Sequence, residues 1–539
     1  MCWVYVLGVR VGCTCWVYVL GVYVGNYAQD FLLLAKYIEV KKKNLFINYT
    51  ILKSKQNSSI IFLCGKESYF GSKYIFNKII NSNVKKNGDK TSELLIRANY
   101  IRDVNGCYNI LPLGLRVIYK IINFLNKELT KLNSHCVSLS ILQSKKIWNQ
   151  SNRSKLYGDE FLYVYKQKLH KGDKNIDEGY SRRRIEDDGH ILSPTCEESS
   201  LCLLNEVFSE NITEKCLPIL IHQYNYKFRN EKRTEKSLFK SKEFLMKDGY
   251  SFHSNDKCLN ETYEIYKQCY KNIFKKLKLT CNLIKKRKKD KMNALESHEF
   301  QIASRDGKLK EIAHIFKLGN YYSHKMDIYY RNKKNEQKNI LMGSYGIGIY
   351  RLLYLLVDNF YDEDGIKLPE HIAPFTVYLI QANQKSKYSA EKISKIVRQA
   401  GGHAIGETAK GETAKGEIAA QRPLSSNDVE CILTHWVFNT FRNNNVDIYY
   451  DDTDLHLSRK LKNCDFIGVP NRVIINLNSE DKKIKLPTDF YNYIDCSKNV
   501  LLNKLFLIFQ NVTVEYKNRF SHEAKMMTIK QLFSHFDFV

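Results

Sequence analysis

No C-x-x-C pair occurs in this chain, although fifteen cysteines are scattered through its 539 residues. That spacing supports neither a zinc site nor a disulfide framework, so no protein-held metal is expected. An odd number of unpaired thiols reads as packed, free cysteine in a reducing compartment. Acidic residues are also short: 57 Asp and Glu stand against 84 Lys and Arg, a formal charge of +27. Such an excess favours a polyanionic partner, because Lys and Arg that neutralise phosphates release counterions. A coding bias toward Lys and Asn would raise basicity everywhere, and charge alone does not separate the two readings. Apolar residues are plentiful at 44%, enough for two or three domains with real cores.

The chain divides by composition. CWVYVLGV occurs at 2–9 and again at 15–22, an apolar, β-branched repeat. It lacks the charged start of a secretory signal and contains Arg10, so a translated minisatellite or wrong gene start competes with a targeting role. From about residue 36 to 90 the sequence is rich in Lys, Asn and Ser and nearly free of acids. An apolar start followed by a basic tract resembles a leader, so 1–90 is set aside as a leader or misannotated segment. Residues 91–370 read as one mixed α/β unit, and 375–480 as a second, smaller one after a linker around Pro369 and Pro374. Within the second, 400–428 carries a tandem GETAK repeat that has little to bury and reads as a solvated insertion. The tail, 481–539, is taken as a C-terminal extension with an apolar, helix-like run at 500–510.

The most informative local pattern is IHQYNYKFRNE, 221–231. Its alternation predicts a strand with His222, Tyr224, Tyr226 and Phe228 on one face and Gln223, Asn225, Lys227, Arg229 and Glu231 on the other. The aromatic face is expected to pack inward while the polar face lines a cleft. After a charged loop, KEFLMKDGYSFH (242–253) puts Phe244, Met246 and Asp248 together. Two such strands make an antiparallel pair with Arg, Glu, aromatic and Asp groups on one surface. Taken alone, this is any half-buried hairpin.

Together the two segments resemble motif 2 of class II aminoacyl-tRNA synthetases, in the form carried by bacterial-type prolyl-tRNA synthetases. The neighbouring blocks follow that family's order: LLIRANYIRDVNGCYNILPLGLRV (94–117), IWNQSNR (147–153), LSPTCEE (192–198), SHEFQI (297–302), EIAHIFKLGNYYS (311–323), LMGSYGIGIYRLL (341–353) and DDTDLHLSRKLKNCDFIGVPNRVII (451–475). The resemblance implies an α/β fold with an α+β catalytic domain, in which helices flank the antiparallel sheet of the class. A smaller α/β anticodon-binding domain with a five-stranded mixed sheet follows it.

The resemblance also implies a reaction. Proline's carboxylate attacks the α-phosphorus of ATP, diphosphate leaves, and the prolyl group passes to the 3′ end of tRNA(Pro). Such chemistry depends on positive charge and positioning more than on covalent help. By resemblance, Arg229 bridges the α-phosphate and the proline carboxylate, a task suited to a forked guanidinium. Glu231 accepts from the adenine amino group, Phe244 stacks on the base, and Arg351 of motif 3 holds the γ-phosphate. Gly346 and Gly348 let backbone approach the nucleotide. Glu311 and His314 face ATP, while Phe316 lines the pocket for the proline ring. Thr195 and Glu197 bind proline, with Glu197 on its ammonium, and Ser344 lies near the substrate. Read without that context, P-T-C-E-E is an ordinary helix start capped by Thr195, and His314 a core histidine. ATP is expected as substrate with Mg2+, L-proline and tRNA(Pro) as partners, and a homodimer with no membrane association.

Departures limit the likeness. Only QIASRDGKLKEIA separates SHEF from HIFKLG, so the family's large editing insertion is absent, leaving discrimination against alanine to the first pocket. Ser140 stands at the motif 1 proline; Thr234 and Glu235 replace Pro-Arg in the motif 2 loop. Lys240 and Lys242 replace arginines, Asn293-Ala294 a Gly-Gly, Cys196 a His, and Tyr350 a Ser. Asp451, Asp452 and Asp454 have metal-like spacing but read better as a strand-end turn; Arg459 and Lys460 are candidates for RNA phosphates. A catalytically degenerate paralogue acting as a tRNA- or protein-binding module is the alternative function. An organelle, mitochondrion or apicoplast/plastid, is the expected location, with the cytoplasm as the other reading.

Overall fold

The structure, a computed structural model, describes residues 89–104, 107–164, 189–209, 211–230, 238–286, 291–382, 426–453, 455–477, 505–521 and 523–538, and three strands near the N-terminus. Those strands, Trp3–Val11, Cys15–Tyr23 and Phe31–Leu34, form a three-stranded antiparallel sheet within a unit of its own, residues 1–68. The GETAK repeat lies outside the described residues, as do Glu231, Thr234, Glu235 and Asp454.

The rest is built mainly on two sheets, beside a smaller three-stranded sheet and two two-stranded ones among the described residues. The larger has seven strands: β1 (His135–Cys136), β2 (Ile219–Phe228), β3 (Glu243–His253), β4 (Cys281–Lys286), β5 (Glu296–Ala303), β6 (Leu309–Gly319) and β7 (Leu341–Gly348). Their order is β4-β5-β6-β7-β3-β2-β1, antiparallel throughout except where β1 runs parallel to β2. β5 and β6 are joined directly by the turn 304–308, in which Ser304 N–H donates to Lys308 O.

The longer helices packed around this sheet among the described residues are α1 (Pro112–Thr130), α2 (Glu197–Val207), α3 (Asp256–Lys276) and α4 (Ile349–Asn359). Pro112 opens α1, where its missing N–H is harmless. In α3, Asn255 caps the first turn by accepting from Cys258 N–H, and Leu259, Tyr263, Tyr266, Tyr270, Ile273 and Phe274 recur every three or four residues on the buried face. Those rings cover the back of the sheet, where Tyr266 stacks on Tyr345 with centroids 3.7 Å apart. Burying each such side chain stabilises by roughly 1.5–3 kcal/mol, which makes the sheet a rigid floor for whatever its front carries.

The second sheet has five strands: β8 (Val377–Gln381), β9 (Ile448–Asp451), β10 (Asn471–Ile475), β11 (Thr513–Asn518) and β12 (Lys525–Thr528). Its order is β9-β8-β10-β11-β12; the first three are mutually parallel and the last two antiparallel, a mixed sheet. Flanking it are α5 (Ser426–Asn443), α6 (Leu457–Ile467) and α7 (Ile529–His535). The tail expected as a separate extension is therefore part of this sheet, since β11 and β12 lie beyond residue 481. The strand signal was there in the alternation of TVEYKN, and Thr528 with Gln531 forms a capping box that starts α7. The two sheets are tied by Tyr100 Oη, which donates to Ile467 O at 2.8 Å, and by Lys120, 2.7 Å from Asp447.

Candidate active site

Strand register decides which side chains share the front face. Gln223 lies opposite Asp248, Asn225 opposite Met246 and Lys227 opposite Phe244. Across the next strands, Asp248 faces Gly346 and Gly346 faces His314, while Tyr250, Ser344 and Phe316 form a parallel row. The expected hairpin is present with the expected polar face. The aromatic face is less uniform: His222 is buried, but Tyr226 is exposed and its hydroxyl accepts from Tyr350 Oη at 3.4 Å. A bulge at Phe300/Gln301 shifts the pairing so that Glu311 faces Gln301 while His314 faces Glu299. That extra residue puts Glu311 and His314, three apart in sequence, on the same side.

Two clusters stand on this face. In one, Arg229 lies over the Phe244 ring with its guanidinium carbon 5.3 Å from the centroid, and its Nε donates to Pro194 O at 3.2 Å. Nearby, Arg351 Nη1 is 3.3 Å from Glu311 Oε2, and Glu311 Oε1 is 3.3 Å from His314 Nδ1. Burial alone would raise the Glu311 pKa, yet the His314 contact and the Arg351 charge hold it at about 2. His314 in turn stacks on Phe316 with centroids 3.9 Å apart. Gly346 keeps the floor between them open, for a Cβ there would lie 2.4 Å from Met246 Cε.

The second cluster surrounds Glu197, which is 1% exposed. Thr195 Oγ1 donates to Glu197 Oε2 at 2.6 Å, and Ser344 Oγ donates to Oε1 at 2.9 Å. Thr195 does not cap the helix: the capping position is Cys196, which makes no side-chain cap bond, so Thr195 is free to orient the carboxylate. Beneath lie groups that the sequence reading did not single out for the site. Asp248 Oδ2 accepts from Gln223 Nε2 at 2.8 Å and from Tyr250 Oη at 2.5 Å, while Lys227 Nζ lies 3.2 Å from Asp248 Oδ1. Lys227 also donates to Cys196 Sγ at 3.3 Å. The alternating polar face placed Gln223, Lys227 and Asp248 here; nothing marked Cys196 as their partner.

Glu299, Glu311 and His314 bring one ligand atom each to within 4.8 Å of one another, a group that could hold a cation. No local motif marks this group, because its three members meet on two strands across a bulge. In the second sheet, Lys460 is buried and donates to Asp451 O at 3.2 Å, so it holds strand ends and does not face RNA. Asp451 Oδ1 accepts from Thr453 N–H at 3.0 Å, a strand-end turn. No helix among the described residues is long and apolar enough to cross a membrane.

Residues 180–360 match the family model described as tRNA synthetase class II core domain (G, H, P, S and T). A proline–tRNA ligase of Wolbachia sp. subsp. Drosophila simulans (strain wRi) is 26% identical over 490 residues, covering 82% of this chain and 93% of that protein. Another, of Buchnera aphidicola subsp. Schizaphis graminum, is 35% identical over 216 residues, 40% of this chain and 34% of its own. Among solved structures, the Giardia lamblia prolyl-tRNA synthetase in complex with prolyl-adenylate superposes with a TM-score of 0.58 at 17% identity, covering 81% of this chain and 74% of that one. The Cryptosporidium parvum prolyl-tRNA synthetase complexed with halofuginone and AMPPNP gives 0.58 at 16%, covering 83% and 74%. These two structural likenesses speak to the fold.

Proposed function

We infer that this chain, which belongs to the class II aminoacyl-tRNA synthetases of the prolyl type, is an ATP-dependent proline–tRNA ligase. It activates L-proline as prolyl-adenylate, releasing diphosphate, and transfers the prolyl group to tRNA(Pro). One observation carries the reading. A buried carboxylate, Glu197, is aimed by Thr195 and Ser344 on the same sheet face as the Arg229–Phe244 and Arg351–Glu311 pairs.

Each residue then has a task. Glu197 receives the secondary ammonium of proline, a charge-assisted contact strengthened by the dry surroundings. Phe316, beside it in the Ser344 row, gives the ring an apolar wall. Arg229 leaves Pro194 O to bridge the proline carboxylate and the α-phosphate as charge grows there. Phe244 stacks on adenine, Glu231 accepts from its amino group, and Arg351 meets the γ-phosphate. Mg2+ prefers oxygen ligands, and the Glu299 and Glu311 carboxylates would hold it, where it supplies neutralising charge at the outer phosphates. His314 keeps Glu311 ionised and supports Phe316.

The finer features belong to the same reading. Selectivity against alanine rests on the Glu197–Phe316 pocket, in keeping with the direct β5–β6 turn. A homodimer, and service to an organelle with 1–90 as leader, extend the proposal; the apolar start and the Lys/Asn-rich tract support the second. Purified chain with ATP and a tRNA(Pro) transcript is expected to form acid-precipitable prolyl-tRNA. Folded protein that binds this tRNA yet charges it with no amino acid would favour the binding-module alternative.

A further inference from the structure

Arg153 ends the block IWNQSNR, to which no task was given, and it is fully buried beneath the pocket carboxylate. Its Nη1 lies 3.3 Å from Glu197 Oε2 and 3.0 and 3.1 Å from the two oxygens of Glu198, itself fully buried. Its Nε donates to Lys291 O at 3.1 Å and its Nη2 to Met292 Sδ at 3.0 Å. The rings of Trp148, Tyr157 and Tyr322 surround the guanidinium carbon at 5.0, 4.8 and 5.2 Å. A guanidinium so enclosed has one orientation and keeps its charge.

Two buried carboxylates thus share one cation. Burial holds the Glu198 pKa above its ordinary value, opposed by Arg153 and reinforced by the neighbouring Glu197. The donor set decides its state: both oxygens face Arg153, and Oε1 also accepts from Ser151 Oγ at 2.7 Å. Donors on both oxygens, together with the adjacent Arg153 charge, favour the ionised form of this carboxylate. The cluster of Arg153, Glu197 and Glu198 therefore carries one uncompensated negative charge, and it lies on Glu197, the only member that touches the front of the pocket through Thr195 and Ser344.

We propose that Arg153 and Glu198 are positioning residues that set the pocket's charge, leaving Glu197 one negative charge short of balance so that the site is completed by a single cationic amine. With proline's ammonium in place the buried group is neutral. Without Glu198, Arg153 would neutralise Glu197 alone and the ammonium would enter as an excess charge, which a dry site disfavours. This rests on the proposed proline pocket, and it assigns a specificity role to an acid that touches no substrate atom.

The test uses the full chain in proline-dependent ATP–diphosphate exchange, with tetrahydrofuran-2-carboxylate as competitive inhibitor. That molecule has proline's ring and carboxylate but an oxygen in place of the ammonium. The isosteric Glu198→Gln is expected to raise KM for proline by about tenfold or more, with KM for ATP and the inhibitor's Ki little changed. Arg153→Lys keeps the charge and loses the fork; it is expected to weaken proline and inhibitor alike, preserving their ratio. If Glu198→Gln does not fold, the ratio in Arg153→Lys carries the test. Unchanged proline KM in folded Glu198→Gln, equal weakening of both ligands in it, or collapse of the ratio in Arg153→Lys would overturn the proposal. Wild-type exchange that ignores proline would instead overturn the pocket assignment itself.

Discussion

Ser344 Oγ donates to Glu197 Oε1 at 2.9 Å across 147 residues of sequence, joining the middle of the central sheet to the first turn of α2. That bond, with Thr195 on the other oxygen, leaves the carboxylate no freedom to turn from an incoming ammonium. Glu197→Gln is expected to raise KM for proline on the order of a hundredfold, with KM for ATP nearly unchanged. Steady-state exchange at varied proline and ATP checks the split; equal change in both would move Glu197 out of the proline pocket.

Among the described residues, the Arg229 side chain has one hydrogen bond, to Pro194 O, beside its contact with Phe244. A guanidinium tethered so lightly is available to a phosphate. Arg229→Ala is expected to lower kcat for exchange on the order of a hundredfold or more, while circular dichroism stays that of the wild type. Retained activity in the folded variant would remove Arg229 from the reaction.

The Arg351–Glu311 pair has a pH consequence. Glu311 titrates at about 2, below its ordinary 4.5. A depressed carboxylate contributes stability that is present above its ordinary value and lost as pH falls through the folded one. ATP affinity should therefore be insensitive to Glu311 between about pH 5.5 and about pH 8. Arg351→Ala should raise KM for ATP about tenfold. A KM for ATP that climbs on acidification in the wild type, and not in Glu311→Gln, would contradict this state of Glu311.

On the back of the sheet, Lys247 donates to Tyr270 Oη at 2.9 Å and to Tyr345 O at 3.2 Å in full burial. Burial pushes its pKa down from 10.5 to about 7. The unfolded chain keeps the proton that the folded one sheds, so stability from this group rises with pH between those two values. Denaturation midpoints should climb over that range, and Lys247→Met should flatten the slope. An unaltered slope in the variant would assign it to other groups.

The site was more legible in sequence than its supports. Phe244, Met246 and Asp248 fell on one face because a strand alternates strictly, and the observed register keeps them there. Glu299 was invisible because its meeting with Glu311 and His314 passes through a bulge, which local alternation does not encode. Arg153 was hidden for a different reason: a buried arginine owes its place to partners far along the chain, here Glu197, Glu198 and Tyr322. The second sheet was foreseen in strand number, but the tail was severed from it, because sequence reading has no long-range term to pair Asn471 with Asn518.

The most direct test is ATP–diphosphate exchange by the purified full chain across the common amino acids. Exchange that depends on L-proline, with alanine a much poorer substrate, is the expected result. Pure, folded protein that binds ATP and shows no exchange with proline, or exchanges equally well with an amino acid of another class, would contradict the assignment.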